Sequence, residues 1–519
     1  MADRFQFRRL LLYLCLTWLA STGLAKATPA SSDDCWSSAS GKLKDPRFDP
    51  IRERIKQQIV DGSTSSMAVA VAVDGAIIWQ EACGWADREH LLPATPDTLY
   101  DVGSISKTFT ATGLMILTER GIVDLSHPVN DYLGRAKLTG LGGDASRATV
   151  RLVMQHRAGL PLHWQFIYEY EPYQRPTMEE TIFRYGIVVR PPGEAFNYAN
   201  LDYGVIEYLI ERMSGLSYED FMRREVFVPL GLPHTAVGPT PDLRDVTAAL
   251  YDRGKRLPFM DFDQRGAGYV YSSAHDLVRF GMFHLKEHLA DQGQILKDST
   301  IDAMASDAVP TGVGNDSALY GLGWGIHPNE FGPGIKCVRH LGGMPGGTAA
   351  LKLIPSKRIV VVVLANSNRT TTESLSDDIV ATLIPEYRVQ RAKQASEAPP
   401  SAVPFRPTAE LVGAWKGVVK TWSSELPVLM EIKPDGDIHI KLSDQLPTLL
   451  DNVTFSDGEL NGSFQGTIPT EDANRDRHSI LLNRLVLRGD TLAGAAIADA
   501  GNHYGLPSYI TLVRQSAAR

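Results

Sequence analysis

The sequence predicts an α/β (α+β) unit, an antiparallel sheet flanked by helices with an inserted helical region, followed by a small all-β barrel. Three observations carry this. First, β-rich runs bracket a helical stretch: "SMAVAVAVDGAIIWQEACGWAD" near the start and "GGTAALKLIPSKRIVVVVLANSN" at residues 346–368 lie either side of helix-like patterns from Leu99 to about Gly321. Second, "IVVVVLA" is apolar at every position, as a strand covered on both faces would be. Third, "RAKQASEAPPSAVPFRP", residues 391–407, is rich in Pro, Ala and Ser and separates two compositions, which marks a linker.

From the N-terminus, "MADRFQFRRLLLYLCLTWLASTGLAKATPA" offers basic residues (Arg4, Arg8, Arg9), an apolar core from Leu10 to Ala20 and a small-residue site at Ala25-Lys26-Ala27. This pattern predicts a secretory signal peptide over 1–27, too short in its apolar core to span a bilayer. The expectation is a periplasmic or secreted protein with no stable membrane insertion, built as a first domain over 28–390, a linker over 391–407 and a barrel over 408–519. Next, "FDPIRERIKQQIVDG" places Ile51, Ile55 and Ile59 at helical spacing, with Asp49 as cap, Pro50 at the first position and Gly62 closing the helix. Asp74-Gly75 then joins two β-rich runs as a hairpin turn. The stretches "AGLPLHWQFIYEYEPYQRP" and "GPTPDLRDVTAALYDRGKRLPFMDFDQRG" read as long loops within the helical region. In the late pair of runs, Pro355-Ser356-Lys357 makes the turn. Beyond the linker, Val428, Met430 and Ile432 alternate, turn at Pro434-Asp435-Gly436, and resume at Ile438, Ile440 and Leu442. Further turns at Ser456-Asp457-Gly458 and Arg488-Gly489-Asp490 complete the signature of a small antiparallel barrel or sandwich.

Composition narrows the partners. A chain of 519 residues that is 43% hydrophobic and 22% charged has room for two or three globular domains. Its net charge of −8, with no dense Lys/Arg cluster in the mature chain, argues against nucleic acid and for a peptide or small-molecule substrate. Cys35, Cys83 and Cys337 remain after signal removal, so at most one internal bridge forms and one thiol is left over. Neither they nor the scattered histidines have metal-ligand spacing, and no metal or cofactor is expected.

The chemistry is concentrated in "YDVGSISKTFTATGLMIL". Gly103 precedes Ser104, and the run that follows is apolar nearly all round, which predicts a buried helix with Ser104 at its N-terminus. Three residues on, Lys107 shares a helix face with Ser104. A hydroxyl is a weak nucleophile until a neighbouring base takes its proton, and a desolvated lysine can be that base. The helix N-terminus favours a developing oxyanion. Alone, the pair reads better as an N-cap serine beside a snorkelling lysine. Downstream, however, "GEAFNYANLDYGVIEYLIERMSG" sets Tyr198 and Asn200 before a helix, and "VRHLGGMPGG" offers His340, Gly342 and Gly343 before the late strand pair.

With these three motifs in this order, the sequence resembles the serine hydrolases built like penicillin-binding proteins and class C β-lactamases, which carry Ser-x-x-Lys, then Tyr-x-Asn, then Lys-Thr-Gly or His-x-Gly. The resemblance spans about 46–390 and includes "VRLVMQHRAGLP", "GYVYSSAHDLVRF" and "YGLGWGI". It implies a β-lactamase/transpeptidase-like fold with Ser104 as the acylated nucleophile and Lys107 as its activator. Tyr198 would shuttle protons as a phenolate stabilised by Lys107 and, when charged, by His340. Asn200 would orient Lys107 and contact the substrate. The oxyanion hole would combine the N–H of Ser104 with that of Gly343 on an edge strand, beside Gly342. His340 stands where β-lactamases hold a permanently charged lysine, which weakens the case for carboxylate recognition. His-x-Gly instead resembles the D-aminopeptidase and esterase-like branch, in which a lipocalin-like domain such as "LVGAWKGVVK" opens is a frequent appendage. His156, in "QHRAGLP", reads as a structural histidine ordering the next loop. The implied activity is amide hydrolysis on short or linear peptides, D-amino-acid peptides among the candidates. The linearised-microcystin hydrolase belongs to this broad group, making linearised microcystin one specific candidate substrate. A carboxylesterase or β-lactamase-type hydrolase on the same site, and an acylated sensor without turnover, are the alternatives.

Overall fold

The computed structural model describes residues 35–36, 45–240, 242–312, 318–370, 372–394 and 405–515. The expected signal peptide lies outside them, as does most of the expected linker, of which 391–394 end the helix Pro385–Gln394. Among the described residues no helix is long and apolar enough to cross a membrane.

One antiparallel sheet organises the first part of the chain. In space its strands run Cys35–Trp36, Ala76–Asp87, Ser66–Val73, Ile359–Ala365, Gly347–Ile354, Cys337–Met344, Gly325–His327, Leu319–Tyr320 and Val309–Pro310. Early and late β runs therefore share one sheet through the pairing of Ser66–Val73 with Ile359–Ala365. Both hairpin turns are where the sequence puts them. Asp74 and Gly75 take positive φ (51° and 77°) between paired Val73 and Ala76, as a two-residue turn between twisted strands requires. Pro355–Lys357 forms a 3₁₀ turn between paired Ile354 and Ile359.

The two faces of this sheet are packed differently. Met67, Val69 and Val71 pack with the helices Asp49–Val60 and Thr372–Leu383, whereas Ala68, Ala70 and Ala72 lie in the core on the side of the helix Ala274–His284. Small side chains let that helix lie close, and a β-carbon on its Gly281 would meet Val360 at 2.5 Å. The first helix corrects one expectation: Asp49 is its first residue and not its cap, because Asp45 accepts from Arg47 N (2.9 Å) and opens a 3₁₀ turn, Pro46–Phe48, ahead of it.

Beyond residue 408 a single antiparallel ribbon of strands coils into a nearly closed barrel, from Gly413–Lys420 to Tyr504–Arg514. Across the seam, the Gln445 side chain and the backbone of Thr467 exchange two bonds of 2.8 Å. Its last strand continues into the first part of the chain. Tyr504 and Gly505 pair with Gln165 and Trp164 of the strand Trp164–Tyr168, which in turn pairs with Met260–Phe262. Both of those short strands lie in stretches expected to be loops. Their partners are remote in sequence, so local pattern could not reveal them.

Cys35 and Cys83 form a disulfide directly across the paired strands Cys35–Trp36 and Ala76–Asp87, and Cys337 remains a buried thiol. The bridge closes a loop with a sequence separation of 48. Cys83→Ser is expected to lower stability by about 2–4 kcal/mol, seen by calorimetry as a lower melting temperature. Unchanged melting would show that the pairing of the short N-terminal strand holds without the bridge.

Candidate active site

The turn that carries Ser104 is shaped by its backbone. Gly103 adopts φ +51°, and its N–H donates to Asp101 Oδ1 (2.8 Å). A 3₁₀ turn, Gly103–Ile105, then leads into the helix Ser106–Glu119, buried from Ser106 to Leu117. Ser104 therefore sits at the mouth of a buried helix, and Lys107, fully buried, lies one turn along the same face.

Lys107 Nζ has three polar neighbours: Ser104 Oγ at 3.0 Å, Asn200 Oδ1 at 2.9 Å and the carbonyl oxygen of Ala267 at 2.7 Å. Two of these only accept hydrogen bonds. A neutral amine has two N–H groups and one lone pair, so donation to Asn200 and Ala267 leaves the lone pair for the hydroxyl of Ser104. Burial drives the amine toward that neutral form, pushing its pKa well below the ordinary value, with only the charge of Asp202 pulling it back.

Tyr198 reaches the same oxygen from the other side, its O–H donating to Ser104 Oγ at 2.9 Å. Its loop ends in the helix Asn200–Ser214, where Asn200 is the first residue and its side-chain amide also donates to the His163 carbonyl (3.3 Å). Burial raises the Tyr198 pKa, so the phenol keeps its proton. Behind Tyr198 lies His156, buried, with φ +55° and its ring centre 4.4 Å from the phenol ring. Its Nδ1 is 2.8 Å from Asp202 and its carbonyl accepts from Asn197 N (2.7 Å). His156 thus braces the loop carrying Tyr198.

His340 does not hydrogen-bond to Ser104 or Tyr198. Its Nδ1 faces the carbonyl oxygen of Leu341 at 2.8 Å and must be the protonated nitrogen, so Nε2 accepts from the Tyr320 hydroxyl at 3.1 Å. Burial, with Lys107 close by, pushes its pKa down to about 3. A charged His340 helping to hold a phenolate is therefore not what the site contains: His340 is neutral, and so is the phenol. The strand beyond it also differs from expectation. Cys337–Met344 lies inside the sheet, but its neighbour Gly325–His327 pairs only as far as Arg339, leaving His340–Met344 unpaired on that side. This free half approaches the nucleophile turn. A β-carbon on Gly103 would come within 2.7 Å of Gly343 N, and one on Gly342 would land on the carbonyl oxygen of Val102. The N–H groups of Ser104 and Gly343 thus belong to backbone segments in van der Waals contact, as a two-donor oxyanion site requires.

Beside Ser104 opens a cavity of about 430 Å³. Trp164, Phe166, Phe262 and Met344 supply its apolar surface, and Asn200, Asn368 and Asn502 its amides. Among the described residues lining it none is ionisable, and no group of three or more His, Cys, Asp or Glu side chains is placed to hold a metal ion.

A profile of the beta-lactamase family matches residues 51–385, more than half of the chain. The chain belongs to the beta-lactamase family. The unguisins hydrolase ungD' of Aspergillus campestris (strain IBT 28561) is 28% identical over 346 residues, which are 62% of this chain and 62% of that protein. Penicillin-binding protein 4 of Amycolatopsis lactamdurans is 25% identical over 387 residues, 71% of this chain and 96% of that protein. Among solved structures, SurE, also solved with D-Leu, superposes with a TM-score of 0.60 at 21% identity, covering 89% of this chain and 99% of its own.

The structure brings Ser104, Lys107, Tyr198 and Asn200 into one hydrogen-bonded group, sets Gly342 and Gly343 against its turn, and leaves His340 outside that group, bonded to Tyr320. Sequence reasoning missed the Ala267 carbonyl, which as main chain leaves no side-chain signal. It also missed Asp202, two positions past Asn200, and the barrel residues Gly501 and Asn502 at the cavity.

Two outcomes follow from this geometry. The pH profile of kcat/KM should show an acid limb, because protonated Lys107 has no lone pair, and no alkaline limb below about pH 10, the ordinary value of a tyrosine. A bell closing below that pH would contradict a protonated Tyr198. Gly342→Val should push the strand off the nucleophile turn and cut kcat by about 100-fold or more while circular dichroism stays native. Near-normal turnover would exclude this strand from the oxyanion site.

Proposed function

We propose that the protein is an exported serine peptidase or amidase that cleaves short or linear peptides, D-amino-acid peptides included, through an acyl-enzyme on Ser104. The observation that carries this reading is the convergence of Lys107 Nζ (3.0 Å) and the Tyr198 hydroxyl (2.9 Å) on one serine oxygen, with burial driving the amine toward its neutral form and keeping the phenol protonated. Lys107, buried and neutral, takes the Ser104 proton as Oγ attacks the carbonyl carbon. The oxyanion is held by the N–H groups of Ser104 and Gly343. Collapse expels the amine, which takes a proton from the Tyr198 hydroxyl, and Lys107 returns its proton to Tyr198. Water then attacks the acyl-enzyme by the same path in reverse.

A built-in acid matters most for amides, whose leaving amine must be protonated, and least for activated esters. The cavity supports an uncharged, apolar environment at the scissile bond: its aromatic lining suits bulky side chains, and no described cation lines it to hold the carboxylate of a β-lactam or muropeptide. The relatives point the same way, one being named an unguisins hydrolase and a structural neighbour having been solved with D-Leu. Linearised microcystin remains one specific substrate to test.

The discriminating experiment incubates wild type and Ser104→Ala with linear peptides of L- or D-residues, linearised microcystin, a penicillin and a short-chain ester, with products read by mass spectrometry. Peptide cleavage should occur and fall at least ~10³-fold in the variant. Ester turnover without any amide cleavage would make the protein a carboxylesterase. A single burst without turnover would make it an acylated sensor, and activity retained by Ser104→Ala would remove the serine mechanism altogether.

A further inference from the structure

The loop that delivers Tyr198 is gripped from the barrel. Arg484 lies in the barrel strand Ser479–Arg488, at an irregularity in its pairing, with φ +51° and its N–H donating to Asn461 Oδ1 (2.8 Å). Its guanidinium forks onto Glu459, Nε to Oε2 at 2.6 Å and Nη2 to Oε1 at 3.1 Å. This bidentate pair fixes the plane of the group. Nη1, turned outward, donates to the carbonyl oxygen of Phe196 at 2.6 Å and to Asn197 Oδ1 at 3.2 Å. Tyr198 is the next residue.

The grip has a second point. Glu459 also accepts from Arg190 Nη1 (2.9 Å), and Arg190 and the barrel residue Arg488 share Glu194. Residues 190–197 are thus fastened at both ends to the barrel through one carboxylate and one guanidinium. These are not exposed surface pairs: the Arg484 side chain is 27% exposed, Glu459 16% and Arg190 8%. The two arginines hold the Glu459 carboxyl below the usual carboxylate range in spite of its burial. Asn197 meanwhile donates through Nδ2 to the Leu160 carbonyl at 2.6 Å, so the Arg484 contact locks an amide already tied to the first part of the chain.

We propose that Arg484 is a positioning residue for Tyr198, and that through it the barrel takes part in setting up proton delivery to the leaving group. This rests on the reading of Tyr198 as the proton donor. Proton transfer depends on sub-ångström placement, and a displacement of about 1 Å at a reacting group can cost 10²-fold in rate. Loss of Arg484 frees the Phe196 carbonyl and one side of Asn197, so the phenol would drift while the Ser104–Lys107 pair, on another element, keeps its geometry.

The test uses the full-length protein and three substrates with one acyl group: its p-nitrophenyl ester, its methyl ester and a peptide amide. The p-nitrophenolate leaves without a proton, whereas methoxide and the amine need one. Arg484→Ala should lower kcat/KM, which reports the acylation step in which the leaving groups differ, for the methyl ester and the amide by about 10-fold or more, and for the p-nitrophenyl ester by less than about 3-fold. In a Tyr198→Phe background the same substitution should add no further loss. Glu459→Gln, which loosens the guanidinium without removing it, should give a weaker effect of the same pattern and serves if Arg484→Ala does not fold. An equal loss on all three esters and amides, full additivity with Tyr198→Phe, or no effect on the methyl ester would overturn the assignment. If the amide is untouched by wild type, the peptidase reading fails, and the two esters still decide the role of Arg484. If Tyr198→Phe alone leaves the ester ratio unchanged, Tyr198 is not the proton donor, and the assignment to Arg484 falls with it.

Discussion

The whole site depends on keeping one amine dry. Removing the Lys107 amine from water is costly unless its N–H groups are paired, and the structure pairs them with two acceptors from two other elements. Supplying those acceptors explains much of the surrounding architecture. The Ala267 carbonyl comes from a short turn, Arg265–Gly268, which is held in place by the side chain of Glu207 accepting from Gly266 N (2.7 Å) and by Thr110 Oγ1 donating to the Gly266 carbonyl (2.6 Å). Thr110 lies one turn beyond Lys107 on its own helix, and Glu207 lies on the helix that begins with Asn200. The three elements that surround the amine therefore also pin one another, and the amine is positioned by the same bonds that hold the core together.

The electrostatic design follows from that burial. Where a permanently charged lysine would occupy residue 340, its repulsion would help keep Lys107 deprotonated. Here residue 340 is a neutral histidine, its protonation suppressed to a pKa of about 3, so burial alone must hold the amine neutral. The same dryness keeps Tyr198 protonated. The protonation states of the two groups thus come from one cause acting on groups of opposite charge type, and among the described residues lining the cavity none is a cation.

Legibility in the sequence tracked the range of the interaction. Ser104 and Lys107 could be read as neighbours because helix geometry fixes a spacing of three. The hairpin turns were readable because positive φ at Gly or Asp is a local demand. The neutral state of His340 was only half readable, since its ordinary pKa allows either form and Tyr320 and the Leu341 carbonyl decide the tautomer. Asp49 misled because Asp45, four residues earlier, competes for the start of the helix with its own 3₁₀ turn. The interior position of the strand carrying Gly343 was hidden because its neighbour pairs only as far as Arg339, four residues before Gly343. The strands Trp164–Tyr168 and Met260–Phe262 were invisible for a different reason: each is too short to pattern by itself and exists through pairing with chain far away.

Those two strands tie the barrel to the cavity. Phe166 and Phe262 form one side of the cavity, and they are aligned directly opposite each other in the pairing of their strands, with ring centres 5.0 Å apart. The first of these strands is bonded on its other side to the barrel: Phe166 N donates to His503 O (2.8 Å), Trp164 Nε1 to Gly501 O (2.9 Å) and Tyr168 OH to Asn502 O (3.0 Å). Trp164 also lies flat against Gly505, where any β-carbon would strike its ring. A wall built this way cannot slide, because moving it by one residue would break a ladder of backbone bonds and turn Phe166 away from the cavity. The width of the cleft is therefore fixed by strand register running from the barrel into the hydrolase. The cavity beside Ser104 thus has a wall that neither part of the chain could make without the other.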